Sequence, residues 1–284
     1  MRKFSRSDRR GVAGFTLIEL IIVLAVLASL AALVVPTLGF VKDQTDTSLA
    51  GYGGQLALNN LETFKAATGR YPNRLDSLID DTGNFYAPIY DISGGTAPYI
   101  GEVTGSSDFI WYFIENGGGM SEVAVHDSTN VPGSSGFDPN RAGVSAPISS
   151  TPLNIVRAGT THTGKRSQII STCFPNQDPV DVAAGRATVP EGHTLVLMGI
   201  GASNSAVGAT MTNAPLAPTK SAYDPDEYDR FIAVFDVTSG GPNFRGQMVL
   251  KAVLDPQFNV VARNIAAYQS STPGDSFGSS APAN

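Results

Sequence analysis

Residues 11–41 of the chain read GVAGFTLIELIIVLAVLASLAALVVPTLGFV. This stretch is apolar enough to cross a bilayer, because residues 15–41 would span about 40 Å as a helix, more than the roughly 30 Å hydrocarbon core. It carries one carboxylate, Glu19, close to its start. A charged side chain within a membrane helix is costly, so Glu19 is a candidate functional residue that needs a partner.

A short basic segment, residues 1–14, precedes the apolar stretch. It contains one acidic residue, Asp8, and five basic residues. The basic residues are Arg2, Lys3, Arg6, Arg9 and Arg10. The positive-inside rule therefore predicts that this end stays in the cytoplasm and that the large C-terminal part is exported. Two alternatives explain part of the pattern: an ordinary secretory signal with a small-residue cleavage site at 28–32, and a plain membrane anchor with a stray glutamate.

Residues 14–19, Gly-Phe-Thr-Leu-Ile-Glu, resemble the processing site of the type IV pilin superfamily. That family includes type IV pilins and the pseudopilins of type II secretion and competence systems. The resemblance implies that a prepilin peptidase cleaves after Gly14, removing the leader 1–14, and that Phe15 is then N-methylated. Pro36 lies where many family members have a helix-breaking proline.

Cleavage at this site would supply Glu19 with a partner. It would create a new α-amine on Phe15, which is positively charged near pH 7. In a filament, Glu19 of one subunit could pair with that amine on a neighbouring subunit. A buried ion pair adds little net stability, but misregister leaves an unpaired charge in apolar surroundings. Glu19 is therefore predicted to set the axial register between copies of this chain, in a homopolymer or a mixed filament.

The resemblance also implies a cellular location. Before assembly the chain would be a single-pass inner-membrane protein with its globular domain in the periplasm or outside the cell. An inner-membrane assembly platform would then add it to a filament at the cell surface or in the periplasm.

Residues 15–68 are predicted to form one long helix, with 15–41 as its membrane or filament-core half. Pro36 removes a backbone donor and clashes with the preceding turn. A kink or a locally unwound stretch is therefore expected at 34–40, with the helix resuming beyond it; simple termination of the helix is the alternative.

The second half of this helix, within residues 41–68, is amphipathic. Its apolar side chains recur at mostly helical spacing and are Leu49, Tyr52, Leu56, Leu58, Leu61 and Phe64. Three glycines are expected to interrupt it: Gly51, Gly53 and Gly54. Gly69 and Pro72 mark its end. The segment 61–73 also resembles the corresponding part of major type II secretion pseudopilins.

The predicted fold class is α+β, with the long helix packed on a β-rich exported domain, residues 69–268. Residues 127–153 are rich in Pro, Ser, Gly and Asn and form a long loop or a candidate domain boundary. Residues 269–284 are predicted to be disordered. A short helix is expected at Leu75–Ile79. The predicted strands are 109–115 and 121–126, joined by a turn at 116–119, then 154–158, 167–174, 194–200, 231–237, 247–254 and 259–264, the last two forming a hairpin.

Charge and cysteine content exclude some classes of protein. The net charge is −6, and loss of the basic leader would leave 14 basic and 24 acidic residues, a net charge of −10. This acidic balance argues against nucleic acid as the main partner.

The single cysteine, Cys173, allows no intramolecular disulfide and is expected to be a buried small hydrophobic residue.

No catalytic motif stands out. The three histidines, His126, His162 and His193, are far apart in the sequence, and their spacing matches no zinc-binding or nucleophile motif. Each is expected to be structural or on the surface. The chain is therefore predicted not to be an enzyme and to require no cofactor.

An acidic loop near residue 226 is the best candidate metal site. Its carboxylates are Asp224, Asp226, Glu227 and Asp229. Closely spaced carboxylates can bind calcium, although the EF-hand spacing is absent. The resemblance to major pseudopilins, which commonly bind calcium in a C-terminal loop, favours this hypothesis. The alternative is a solvated acidic turn.

The sequence therefore predicts a structural subunit of a type IV pilus-like filament that supports secretion, adhesion, motility or DNA uptake. Two other classes stay open. A membrane-anchored enzyme or ligand-binding domain would need neither Glu19 nor processing at Gly14, and an adhesin could coexist with filament membership.

Overall fold

The computed structural model of the protein describes 17–86, 88–89, 101–105, 109–218, 228–239 and 246–269, and for 31–43 it describes the backbone only. The chain divides into two compact units, residues 1–45 and 46–284. The predicted leader, 1–14, and nearly all of the predicted disordered tail lie outside the described residues.

Helix α1 runs without interruption from Leu17 to Thr68. Its backbone stays helical through 34–40, so the helix neither ends nor unwinds at Pro36. It ends as predicted at Gly69, which has φ of 73° and donates its N–H to the Lys65 carbonyl at 2.8 Å. A glycine there avoids the steric cost that a Cβ would pay in the left-handed conformation.

The predicted interruption of α1 by glycines is wrong. The helix continues through Gly53 and Gly54, which lie on its inner face. A Cβ on Gly53 would lie 2.9 Å from Cζ of Phe231, and a Cβ on Gly54 would overlap the side chain of Val261. These glycines therefore allow the helix backbone to approach the domain closely, which outweighs their low helix propensity.

The domain is built on a nine-stranded sheet in the order β11-β10-β9-β8-β1-β3-β4, with β5 beside β8 and β2 beside β5. Its strands are β1 Leu75–Asp80, β2 Glu102–Thr104, β3 Glu122–His126, β4 Val144–Pro147, β5 Leu153–Arg157, β8 His193–Gly199, β9 Ile232–Thr238, β10 Gln247–Leu254 and β11 Val260–Arg263. All pairs are antiparallel except β1 with β3. Strands β6 Thr161–Thr163 and β7 Arg186–Thr188 form a separate ribbon.

The described part of the domain also contains the shorter helices α2 Ile110–Gly118, α3 Gly164–Cys173, α4 Pro179–Ala183 and α5 Ile265–Gln269. They give the sheet a hydrophobic core on each face. On β8, Leu195 and Leu197 belong to the core under α3, whereas Val196 and Met198 belong to the core under α1 and α2. Successive strand residues point to opposite faces, so a sheet covered on both faces has strands that are apolar throughout.

The α+β class is confirmed, and so are the strands predicted at 121–126, 154–158, 194–200, 231–237, 247–254 and 259–264. The hairpin between the last two closes through Asp255, whose N–H donates to the Asn259 carbonyl at 2.9 Å. Cys173 is fully buried, as expected.

Three predicted elements are wrong. The helix expected at Leu75–Ile79 is strand β1, whose helix-like spacing of apolar residues reflects burial on both sides. The strand expected at 109–115 is helix α2. This helix continues into the expected turn at 116–119 and ends at Gly118, which packs on Met248. The strand expected at 167–174 is helix α3, which buries Ile169, Ile170 and Cys173 together.

The expected loop 127–153 contains two short elements. Val144–Pro147 forms the edge strand β4, and Ile148–Ser150 forms a 3-10 turn.

Candidate assembly site

The first part of α1 presents an apolar surface on all sides. Its large side chains are between 49% and 78% exposed and are Leu17, Ile18, Leu20, Ile21, Ile22, Val23, Leu24, Val26, Leu27 and Leu30. The hydroxyl of Ser29 donates to the Val26 carbonyl at 2.8 Å, so this polar group is satisfied within the helix. A helix that is hydrophobic all round is normally buried, so this segment requires an apolar environment.

Glu19 lies in the first turn of α1 and is exposed. A carboxylate is favourable there because the helix macrodipole places partial positive charge at the N-terminus. Gly14 and Phe15, the predicted processing residues, lie outside the described residues. Pro36 lies in the helical backbone, and its side chain is outside them. The structure therefore places one acid beside the exposed apolar surface.

No helix in the described part of the chain has a stretch both long and apolar enough to cross a membrane. The predicted span, 15–41, begins before the described residues and includes side chains that lie outside them.

Of the four carboxylates proposed to bind calcium, one lies within the described residues. Asp224, Asp226 and Glu227 lie outside the described residues, and Asp229 is partly buried. The Asp229 N–H donates to Oδ1 of Asn140 at 2.9 Å, and its carbonyl accepts from the Ala217 N–H at 2.8 Å. Within the described ranges, no group of three or more His, Cys, Asp or Glu is arranged to hold a metal ion.

A buried polar cluster that was not predicted from the sequence joins side chains of β1 and β3 to Tyr228, which precedes β9. The Tyr228 hydroxyl donates to Oδ2 of Asp76 at 2.8 Å, and Nε2 of His126 lies 3.8 Å from the same oxygen. The Tyr86 ring stacks on the His126 imidazole at 4.0 Å between centroids. Burial raises the pKa of Asp76, against the effect of His126 and Tyr228. Burial lowers the pKa of His126, against the effect of the nearby carboxylates.

A second buried cluster links three neighbouring strands, β8, β9 and β10. Nδ1 of His193 lies 2.9 Å from Oδ1 of Asp236, and Nζ of Lys251 lies 3.5 Å from Oδ2 of that carboxylate. Lys251 is fully buried and also donates to the Ala267 carbonyl at 3.2 Å. The buried Asp236 carboxylate and the Lys251 amine thus each meet polar partners, which is the condition under which buried charges are tolerated. These contacts give His193 a structural role.

Comparison with known proteins identifies the N-terminal segment. Residues 9–35 match the family described as "Prokaryotic N-terminal methylation motif". The chain is also 28% identical over 141 residues to "Type II secretion system core protein G" of Xanthomonas campestris pv. campestris. That match covers 48% of this chain and 94% of the relative. Both matches support the type IV pilin and pseudopilin superfamily. No solved structure matches it significantly.

The match places the superfamily signature on the residues singled out above. The matched segment contains Gly14, Phe15 and Glu19. This type of N-terminus is that of a membrane-anchored, exported pilin-like subunit. About half of the chain lies outside the match to the secretion protein, so this pilin-like protein carries a large additional part.

Proposed function

We propose that this chain is a structural, non-enzymatic subunit of a type IV pilus-like filament, and that it assembles through α1. The observation that carries the proposal is the surface of residues 17–30, which is apolar on all sides and begins with one acid, Glu19. Copies of the same helix packed together would bury this surface and remove a large apolar area from water or lipid.

Glu19 fixes the register in this proposal. A prepilin peptidase cleaves after Gly14, and the new amine of Phe15 pairs with Glu19 of a neighbouring subunit. The relative from Xanthomonas belongs by name to a type II secretion system, which supports a pseudopilus as one form of the filament. The pairing acts mainly on specificity, because a subunit in the wrong register leaves a carboxylate unpaired among leucines and isoleucines.

The proposed path of the subunit follows from the same segment. Before assembly, the basic leader holds the N-terminus on the cytoplasmic side of the inner membrane, and the domain after α1 is exported. An inner-membrane platform then extracts the processed subunit into the filament. The acidic mature surface disfavours nucleic acid as its main partner.

Intact-mass and N-terminal analysis of the protein from membranes or filaments tests the proposal. A chain that begins at methylated Phe15 is the expected result. A chain that keeps Met1–Gly14 in cells with an active prepilin peptidase would overturn the proposal and favour an anchored enzyme or binding domain. A chain that begins near residue 33 would instead identify an ordinary secreted protein.

A further inference from the structure

A fully buried lysine faces a buried aspartate on the neighbouring strand of the sheet. Lys251 lies on β10 and Asp236 on β9. Nζ of Lys251 lies 3.5 Å from Oδ2 of Asp236 and also donates to the Ala267 carbonyl at 3.2 Å. Lysine is rarely buried completely, and a buried ion pair is often no more stable than the apolar residues that could replace it. Stability alone therefore does not account for a lysine at this position.

The backbone of β10 brings this amine to the carboxylate. Leu250 and Ala252 pair with consecutive residues of β9, so Lys251 between them is an extra residue in the ladder. Such a β-bulge redirects a side chain from the regular alternation of the strand. Leu250 belongs to the core under α1 and α2, whereas Lys251 lies on the opposite face of the sheet with Asp236.

A histidine and an aromatic ring complete the surroundings of this pair. Nδ1 of His193 lies 2.9 Å from Oδ1 and 3.1 Å from Oδ2 of Asp236, so it can exchange a proton with either oxygen. The centroid of the Phe174 ring lies 5.3 Å from that of the His193 ring and 5.8 Å from Nζ of Lys251. The three polar side chains are at most 11% exposed, so the site is largely shielded from bulk water.

We propose that Lys251 and Asp236 condense to form an amide bond, which links β9 and β10 covalently. A proton passes from the ammonium group to the carboxylate, which leaves a neutral amine beside a neutral carboxylic acid. Nζ then attacks Cγ of Asp236, so that a C–N bond forms and the C–O bond to the hydroxyl oxygen breaks. That oxygen leaves as water with one proton of the amine, and no oxidant or other co-reactant is needed.

The geometry supplies what this condensation needs. Groups held side by side in a fold react as if highly concentrated, with effective molarities of about 10⁵–10⁸ M for well-oriented intramolecular reactions. His193 acts as a catalytic residue of the step: it takes the proton from the attacking amine, delivers it to the departing oxygen and ends unchanged. Shielding of the site from water then disfavours hydrolysis of the amide. The inference goes beyond the proposed function and does not depend on filament assembly.

Mass spectrometry of the full-length protein tests the bond directly. After allowance for processing at the N-terminus, the intact mass should be lower than the sequence requires by one water molecule. Trypsin cleaves after arginine and unmodified lysine, so residues 231–245 and 246–263 should be released as one joined peptide. The full sequence mass, together with cleavage after Lys251 and a free peptide 231–245, would overturn the inference.

Two substitutions assign the chemistry to these side chains, and a third is the control. Lys251→Met should abolish the loss of water, whereas Lys65→Met, at a lysine bonded to the Tyr71 hydroxyl and the Met248 carbonyl, should keep it. His193→Gln keeps both reacting groups and should slow bond formation by about a hundredfold or more, measured by pulse labelling in cells. Wild-type rates in His193→Gln would overturn proton transfer by His193. The mass of the wild-type chain decides the inference even if Lys251→Met does not fold.

Discussion

The hydroxyl of Tyr71, just past the end of α1, accepts a hydrogen bond from the Leu250 N–H of β10 at 2.8 Å. The same hydroxyl donates to Oε1 of Glu62 at 3.0 Å and accepts from Nζ of Lys65 at 3.0 Å. Tyr71 is fully buried, and its ring packs edge-on against Phe235. One side chain therefore ties the end of the helix to strands β9 and β10 of the sheet.

Removing this hydroxyl should destabilise the protein. Tyr71→Phe keeps the ring packing but leaves the Leu250 N–H without its acceptor, and a buried unsatisfied donor costs about 1–3 kcal/mol. Urea unfolding of the full-length protein in detergent measures the loss. Tyr112→Phe, on a side chain that is 51% exposed, is the control and should change stability little. Equal stability of the two variants would show that the Tyr71 hydroxyl contributes nothing.

The glycines of α1 should respond oppositely to the same substitution. Gly54→Ala places a methyl group against Val261, 3.2 Å from its Cβ and closer still to its Cγ2, so overpacking should cost about 1–3 kcal/mol. Gly51→Ala meets open space and should raise stability by about 0.5–1 kcal/mol through helix propensity. Thermal unfolding of both variants distinguishes packing from propensity. Destabilisation by both would indicate that the helix needs flexibility here.

The sequence identified the parts of the fold in which local pattern and tertiary environment agree. Strands β8, β9 and β10 are apolar runs of strand length, and they were predicted. Strand β1 was not, because Leu75, Leu78 and Ile79 have the spacing of a helix face while the surrounding strands bury both sides. The aromatic run at the start of α2 favours a strand locally, but the segment is a helix, and Gly118 near its end packs on Met248.

The polar residues discussed above also differ in whether a local sequence pattern marks them. Glu19 was proposed from sequence because its neighbours along the chain form a recognisable motif. The cluster of Asp76, His126 and Tyr228 was not found, since its members come from segments far apart and become neighbours only in the folded sheet. No local pattern marks such a cluster.

Asp76 and His126 should have opposing effects on the pH dependence of stability. The folded state raises the pKa of Asp76 above 3.8 and lowers that of His126 below 6.5. Folding therefore makes Asp76 bind a proton more readily and makes His126 bind one less readily. The two contributions to the pH dependence of stability therefore have opposite signs and offset one another.

Single substitutions should expose the two halves of this balance. In His126→Phe, Asp76 remains, so stability should increase as the pH falls towards 4, by up to about 1.4 kcal/mol per pH unit. In Asp76→Asn, His126 remains, so stability should decrease as the pH falls below 6.5. Urea unfolding at several pH values measures both slopes, with wild type expected to lie between the two variants. Slopes of the same sign in both variants would contradict this account.

Calcium binding at the acidic loop can be measured directly. If Asp224, Asp226, Glu227 and Asp229 hold the ion, calcium at a hundredfold excess over its Kd should stabilise the fold by about 2.7 kcal/mol, seen as a higher Tm. Asp226→Asn should abolish the shift, whereas Asp81→Asn, on a separate exposed acid, should keep it. An unchanged Tm across the titration would identify the loop as a solvated acidic turn.

Glu19→Ala should separate processing from assembly. The substitution removes the acid from the first turn of α1 but leaves Gly14, Phe15 and the apolar surface unchanged, so the peptidase should still release a chain that begins at Phe15. Filament yield should fall by at least about tenfold, because registers that were penalised by an unpaired carboxylate become equivalent. Glu19→Asp, which keeps the charge on a shorter side chain, should retain partial yield. Mass analysis together with quantification of sheared filaments measures both steps, and normal filaments from Glu19→Ala would refute the pairing with the amine of Phe15.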